Sequence, residues 1–283
     1  MEQDAIVQIK DIMNTPIGIE SGATLDSVLD KLMTFKISRL FIFKDGKAIG
    51  IVSEKDILNY FYKKKLQIRT KDLPIDEIMH EVFVNEGSTT IPEAAKFMID
   101  HRCSSVGVGS EGNLIGIVTK TDLTKFYADN FFGKNKVGNQ ESSNYIPTLT
   151  SDEIYDVVGK MLESEISRMV IVNNEKKPVG IISTGDIFRA VMDIEAIETT
   201  DKILNVTQDN KNIWLRYKEF CSYQAKKVMS RGVMNVSENE DLAKACQMIL
   251  DKGINALGVQ GSDGQIRGII GKREILLTLA SMK

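Results

Sequence analysis

The chain has 283 residues, 42% of them hydrophobic and 27% charged, with a net charge of −3; that is enough apolar material for two ordinary domains with cores. The balance lacks the basic excess of a protein whose main partner is nucleic acid. The scattered Cys103, Cys221 and Cys246 form neither a disulfide framework nor a CxxC metal pattern, and no apolar run has the length of a signal core or a membrane span, so the expected compartment is the reducing cytoplasm.

The chain opens on a segment over residues 9–20 whose Thr15-Pro16-Ile17 predicts an extended start, because proline fixes φ and lacks a donor. Thr24 suits a helix N-cap, and Leu25, Val28, Leu29, Leu32 and Met33 then make one apolar stripe at helical spacing. Leu40–Phe43 reads as a strand, Lys44-Asp45-Gly46-Lys47 as a turn and Ala48–Val52 as a second strand, with Ser53 opening a second helix towards Lys63. The same script runs again downstream. Thr90-Ile91-Pro92-Glu93 is a capping box with proline in the first turn, Ile91, Ala94, Ala95, Met98 and Ile99 repeat the stripe, and Ser110–Asn113 is the turn. A third stripe is Ile154, Val157, Val158, Met161 and Leu162; a fourth is Leu242, Ala245, Cys246, Ile249 and Leu250, followed by a turn at Ser262-Asp263-Gly264.

One motif closes each copy. It reads Gly50-Ile51-Val52-Ser53-Glu54-Lys55-Asp56, Gly116-Ile117-Val118-Thr119-Lys120-Thr121-Asp122, Gly180-Ile181-Ile182-Ser183-Thr184-Gly185-Asp186 and, in a degraded form, Gly268-Ile269-Ile270-Gly271-Lys272-Arg273-Glu274. Copies one and three share Ile37-Ser38-Arg39 and Ile166-Ser167-Arg168, while copies two and four share Val106-Gly107-Val108 and Leu257-Gly258-Val259. Duplication of a two-repeat unit predicts two modules: 1–131, with repeats at 9–66 and 74–131, and 145–283, with repeats at 145–192 and 226–283. The polar stretch 132–144 is expected to be a flexible linker, and an insertion occupies about 193–225.

The four motifs resemble the nucleotide-binding signature of the cystathionine-β-synthase (CBS) domain family, Gly-hydrophobic-x-Ser/Thr-x-x-Asp, and the resemblance spans nearly the whole chain. It implies an α+β fold of four β-α-β-β-α repeats in two pseudo-twofold pairs, a layout similar to the γ subunit of AMP-activated protein kinase. The chemistry is consistent with that. A strand ends and a helix begins at Ser53, Thr119 and Ser183, where free N–H groups and the positive end of the helix dipole suit phosphate. Asp56, Asp122 and Asp186 only accept hydrogen bonds and repel phosphate, so they suit ribose hydroxyls. Arg39 and Arg168 bring a fork of donors to the phosphates; repeat two has Ser105 there, with Lys120 to supply charge. Ile51 and Ile181 with the early-strand residues Thr15, Ile17, Phe83 and Ile146 are the candidates to hold the base, a role the family implies for that strand. Ser-x-x-Asp is also the spacing of a helix cap, and both roles can coexist. Repeat four, with Gly271 and the longer Glu274, is expected to be weak or empty, and repeat three lacks the Asp-Ile-Met opening seen at Asp11-Ile12-Met13 and echoed at Glu77-Ile78-Met79.

The expected function is a regulatory sensor that binds an adenine ligand and does no chemistry. AMP, ADP or ATP is the favoured ligand, and S-adenosylmethionine or NAD also fits the motif. No catalytic residue, metal site or required cofactor is expected: His80 and His101 have no ligand-like spacing. The alternative is an empty CBS scaffold for oligomerisation or protein interaction. Nucleic-acid binding through the basic stretch around Tyr62–Lys65 or through Trp214 ranks last. The partners expected are the adenine nucleotide, a regulated protein of unstated identity, and either a second chain or the stacked modules of one chain, with no membrane.

Overall fold

The computed structural model describes residues 7–64, 70–110, 112–140, 145–192 and 213–282. Each repeat builds the same unit. In repeat one, β1 (Gly18–Glu20) leads to α1 (Leu25–Phe35), a hairpin of β2 (Arg39–Lys44) and β3 (Lys47–Ser53), and α2 (Glu54–Lys64). Repeat two has β4 (Val84–Asn85), α3 (Ile91–Asp100), β5 (Ser105–Ser110), β6 (Asn113–Thr119) and α4 (Lys120–Asn130). Repeat three has β7 (Pro147–Leu149), α5 (Ile154–Glu163), β8 (Arg168–Val172), β9 (Pro178–Ser183) and α6 (Thr184–Met192). After the insertion helix α7 (Ile213–Cys221) come α8 (Ala225–Val228), β10 (Ser230–Arg231), β11 (Asn235–Ser237), α9 (Leu242–Asp251), β12 (Ala256–Gln260), β13 (Ile266–Gly271) and α10 (Lys272–Ala280).

The local code works as the sequence predicts. Thr24 caps α1, and Thr90 and Glu93 close a reciprocal capping box on α3. Asp45 and Gly46 both take positive φ (51° and 76°), the backbone of a tight two-residue hairpin turn. In every repeat the first strand runs parallel to the central one, and the central strand is antiparallel to the motif strand. All four hairpins break register at the same place, leaving Ile49, Ile115, Val179 and Arg267 unmatched within the hairpin just before the motif glycine. Ile49 and Ile115 are exposed in consequence.

The repeats sort into two compact units. One, here the even unit, contains repeats two and four: Met1–Ile17, Val82–Tyr145 and Val233–Lys283. The other, the odd unit, contains repeats one and three: Gly18–Glu81 and Ile146–Gly232. In the even unit, α3 packs on α10 and α4 on α9, around a core that includes Ala94, Met98, Tyr127, Cys246 and Ile275. In the odd unit, α2 packs on α6 and α5, and α7 lies against α5 and α6, with Ile57, Val157, Ile187 and Phe220 fully or almost fully buried. Phe61 faces Tyr217 at 5.6 Å between ring centres, and Tyr62 stacks on Tyr155 at 4.9 Å.

The stretch read from composition as a linker carries structure. Val137–Asn139 is a 3₁₀ turn with Val137 fully buried, and the Val137 and Gly138 amides donate to the Glu240 and Glu238 carbonyls. One apolar residue with a place in the core outweighs a polar composition. Residues 141–144 and 193–212 lie outside the described residues, as do Lys65–Arg69 of the basic stretch, Glu111 of the repeat-two turn and the side chain of Trp214.

Candidate functional site

Each motif places its hydroxyl residue at a strand end and its carboxylate in the first turn of the next helix. The Ser53 N–H and hydroxyl donate to Asp56 Oδ2 at 2.8 and 2.5 Å. Thr119 does the same for Asp122 at 2.8 and 2.7 Å, and Ser183 for Asp186 at 2.8 and 2.7 Å. The motif is therefore a helix cap in this state, and the cap uses one carboxylate oxygen. In repeat four, which lacks the hydroxyl, the Gly271 N–H donates to the buried Glu274 at 3.0 Å.

Sheet register explains why an upstream arginine belongs to the motif. Arg39 is the direct antiparallel partner of Ser53, Ser105 of Thr119, Arg168 of Ser183 and Ala256 of Gly271. Opposed residues share one face of the sheet, so repeats one and three set a half-buried guanidinium beside the helix start. The residue before it also takes part: the carbonyls of Ser38, Ser104 and Ser167 accept the first helical N–H of Glu54, Lys120 and Thr184.

What lies across each motif comes from another repeat. The Asn14 side chain donates to Asp122 Oδ1 at 2.8 Å, and Asn14 and Ile117 exchange backbone hydrogen bonds. His80 Nε2 lies 3.3 Å from Asp56 Oδ2, and His80 and Ile51 exchange backbone hydrogen bonds. Ser230 pairs with Ile181 in the same antiparallel sense. The openings of repeats one, two and four thus serve the motifs of repeats two, one and three. Thr15 and Ile17, expected beside Ile51, follow Asn14 in the even unit, and Ile51 and Asp56 are in the odd unit. Phe83, also in the even unit, packs edge-on against Phe97 and His101. Ile146 is exposed ahead of β7, and the half-buried Lys120 starts α4.

This exchange accounts for the motif glycine. A Cβ on Gly116 would sit 2.3 Å from the Met13 sulfur, one on Gly50 2.6 Å from the Met79 sulfur, and one on Gly180 2.7 Å from the Met229 sulfur and 2.6 Å from the Ser230 carbonyl oxygen. The methionine of each opening seats on a glycine of the strand it covers. The opening of repeat three packs beside repeat four, where the Val137 and Gly138 amides donate to the Glu240 and Glu238 carbonyls.

Electrostatics set the sites apart. Burial alone would raise the Asp56 carboxyl, but hydrogen bonds from His80 and Ser53 outweigh it and hold the group below the usual range. The same bond to Asp56 raises His80 above its ordinary value. In repeat three, Arg189 of α6 donates to Asp186 Oδ1 at 2.8 Å. His80, Asn14 and Arg189 were missed from sequence: each lies on a segment that spacing does not connect to the carboxylate it meets, or follows it by a turn with no motif to mark it. Among the described residues no cluster of His, Cys, Asp or Glu could hold a metal ion, and no helix is long and apolar enough to cross a membrane.

A fold of four such units, each closing on a capped Ser/Thr-x-x-Asp turn or its degraded form, defines a class. Residues 9–63, 75–129, 142–193 and 225–281 match the CBS domain family, and the chain belongs to it. Protein MJ1225 of Methanocaldococcus jannaschii is 24% identical over 268 residues, 89% of this chain and 91% of that one. Its crystal structure aligns with a TM-score of 0.80 at 20% identity, covering 97% of this chain and 100% of that one. Protein MJ1426 of the same organism is 34% identical over 151 residues, 42% of this chain and 89% of its own length. A conserved protein of Pyrococcus horikoshii aligns with a TM-score of 0.64 at 19% identity, covering 96% and 100%.

Proposed function

We propose that this chain is a regulatory sensor whose CBS repeats bind an adenine nucleotide or a related adenosyl ligand and carry out no reaction. The observation that carries the reading is the arrangement at Asp56 and Asp122, where a carboxylate at a helix start is met by a side chain, His80 or Asn14, from the opening of a different repeat. A ribose that takes the carboxylate must displace or re-bond that side chain. Occupancy then changes the contact between repeats, which is the differential interaction a sensor needs. In this reading consecutive repeats act as pairs, 1–131 and 145–283; the reciprocal bonds of Asn14 with Ile117 and of His80 with Ile51 support the first pair, and the pairing of Ser230 with Ile181 supports the second. Ser53, Thr119 and Ser183 with Arg39, Arg168 and Lys120 receive phosphate, and Asp56, Asp122 and Asp186 receive ribose. The base lies against Ile51, Ile181 and Ile146 in the odd unit and against Thr15, Ile17 and Phe83 in the even unit. AMP, ADP and ATP are the first candidates, with S-adenosylmethionine and NAD behind them. The sensor works in the cytoplasm, as a dimer or with its own pairs stacked, and a regulated protein reads its state. Membership of a domain family that typically regulates supports this.

Calorimetric titration of the full chain with the five ligands tests it. Micromolar binding that falls at least tenfold in Asp56→Ala or Asp122→Ala is expected. Hydrogen exchange at residues 8–14 and 77–81 should change on binding. A folded, nucleotide-free protein that gives no heat with any of the five sinks the adenine reading and favours the scaffold.

A further inference from the structure

The odd unit places a carboxylate of repeat one on the helix start of repeat three. Thr184, Gly185 and Asp186 are the first three residues of α6. The Thr184 amide donates to the Ser167 carbonyl at 3.0 Å, and the Asp186 amide to the Ser183 hydroxyl at 3.2 Å. The Gly185 amide lies between these two, in the first turn at the positive end of the helix dipole. Repeats one, two and four carry Lys55, Thr121 and Arg273 at the position of Gly185. Here a Cβ would stand 3.3 Å from Glu54 Oε2 and 3.3 Å from Arg189 Nη1. A side chain here would push the Glu54 carboxylate back by a few tenths of an ångström from the start of α6. Arg189 and Arg39 lower the proton affinity of that carboxylate and Asp186 raises it.

We propose that Glu54 is the charge filter of the repeat-three site: its carboxylate stands where a ligand phosphate would meet the start of α6, so this site takes an adenosyl ligand without a phosphate in preference to a phosphorylated one. The inference rests on the adenine reading of the motif and, at repeat three alone, replaces the phosphate role given above to Ser183 and Arg168 with a phosphate-free ligand class. The cause is Coulombic: Arg189, which is as near to Gly185 as Glu54 is, is already held by Asp186 at 2.8 Å, so a phosphate near Gly185 would meet the Glu54 carboxylate as an uncompensated like charge in a half-buried place, where screening is weak. Burial, opposed by Arg189 and Arg39 and aided by Asp186, pushes the Glu54 carboxyl up to about 7. An incoming anion raises it further, so phosphate binding takes up a proton and weakens as the pH rises through and above that value.

Two titrations test it. In the first, inorganic phosphate is added to the full 15N-labelled chain, to Glu54→Gln and to Gly185→Ala, whose methyl group crowds the carboxylate, and amide shifts at residues 184–186 are followed. Glu54→Gln should bind phosphate about tenfold more tightly than the natural chain at pH 8, the gap closing below about pH 6, and Gly185→Ala should move the same way. In the second, AMP and adenosine are titrated calorimetrically into Asp56→Ala/Asp122→Ala chains, where repeat three keeps the motif aspartate, with and without Glu54→Gln. AMP should tighten about tenfold and adenosine by less than about twofold. Equal tightening of both ligands, or no change in AMP and phosphate affinity, overturns the filter. No binding of AMP or adenosine by any variant overturns the adenine reading alone, and the phosphate titration then decides the filter by itself.

Discussion

The two units run one backbone motif with different charge arrangements at their helix starts. In the even unit Lys272 of α10 donates to the Thr121 hydroxyl of α4 at 2.9 Å, and Lys120 stands next to Thr121 in the same turn. In the odd unit the neighbouring starts of α2 and α6 hold Glu54, Asp186 and Arg189 with Arg39 behind them. The cap geometry is the same to within about 0.2 Å in repeats one, two and three. A cap fixes the backbone and one carboxylate oxygen, and the two variable residues between Ser/Thr and Asp are then free to set the local charge. Equal motifs do not imply equal ligands.

The sharpest way to break the comparison is at the motif glycines. In the odd unit a methyl on Gly180 meets the Ser230 carbonyl oxygen, which is backbone and cannot turn aside, whereas in the even unit a methyl on Gly116 meets the Met13 side chain, which can. Gly180→Ala should cost about 1–3 kcal/mol and Gly116→Ala roughly half as much or less, read from urea unfolding midpoints. Equal costs would show that the openings yield alike.

Helix caps offer a smaller contrast. The even unit starts α3 with the reciprocal Thr90–Glu93 box, while the odd unit starts α5 at Glu153 with no side-chain cap bond. Thr90→Ala should lose about 1 kcal/mol, and Glu153→Ser should gain about 0.5 kcal/mol, both by thermal unfolding. A neutral Thr90→Ala would mean that proline in the first turn of α3 already suffices.

The smallest effect is the pH dependence of the His80–Asp56 pair in the odd unit. The folded pKa of His80 lies above its unfolded value, so the stability from its pair with Asp56 is fully present below about pH 6.5 and fades as the pH rises through the folded value. His80 is largely exposed, and after solvent screening the pair is worth about 0.5 kcal/mol or less. Natural and His80→Ala chains should differ most in melting temperature near pH 6 and converge by pH 9. The Asn14–Asp122 contact of the even unit has no such titrating partner, so Asn14→Ala should shift stability equally at both pH values. A shift that persists unchanged at pH 9 in His80→Ala would assign His80 to packing and not to the ion pair.

Local signals were enough for the elements. Thr24, Thr90 and the apolar stripes name helices because a cap and a 3.6-residue period are properties of one segment, and Asp45-Gly46 names a hairpin because only certain residues take positive φ cheaply. The fourfold motif also determined the family and the α+β unit, since repetition at matched offsets is a sequence fact. The tertiary structure alone decided which pieces meet. Asn14 reaches Asp122 over 108 positions, His80 reaches Asp56 from a loop, and Glu54 lies over Gly185 of another repeat. No period or spacing encodes those distances, because they follow from how buried faces of separate repeats pack. Val137 shows the same from the other side: a polar stretch became ordered because one apolar side chain found a core position beside α9. Sequence determined the caps and the carboxylates, and packing decided what each carboxylate faces. Burial selects contacts between surfaces, and a chain read one segment at a time contains surfaces but not their pairings.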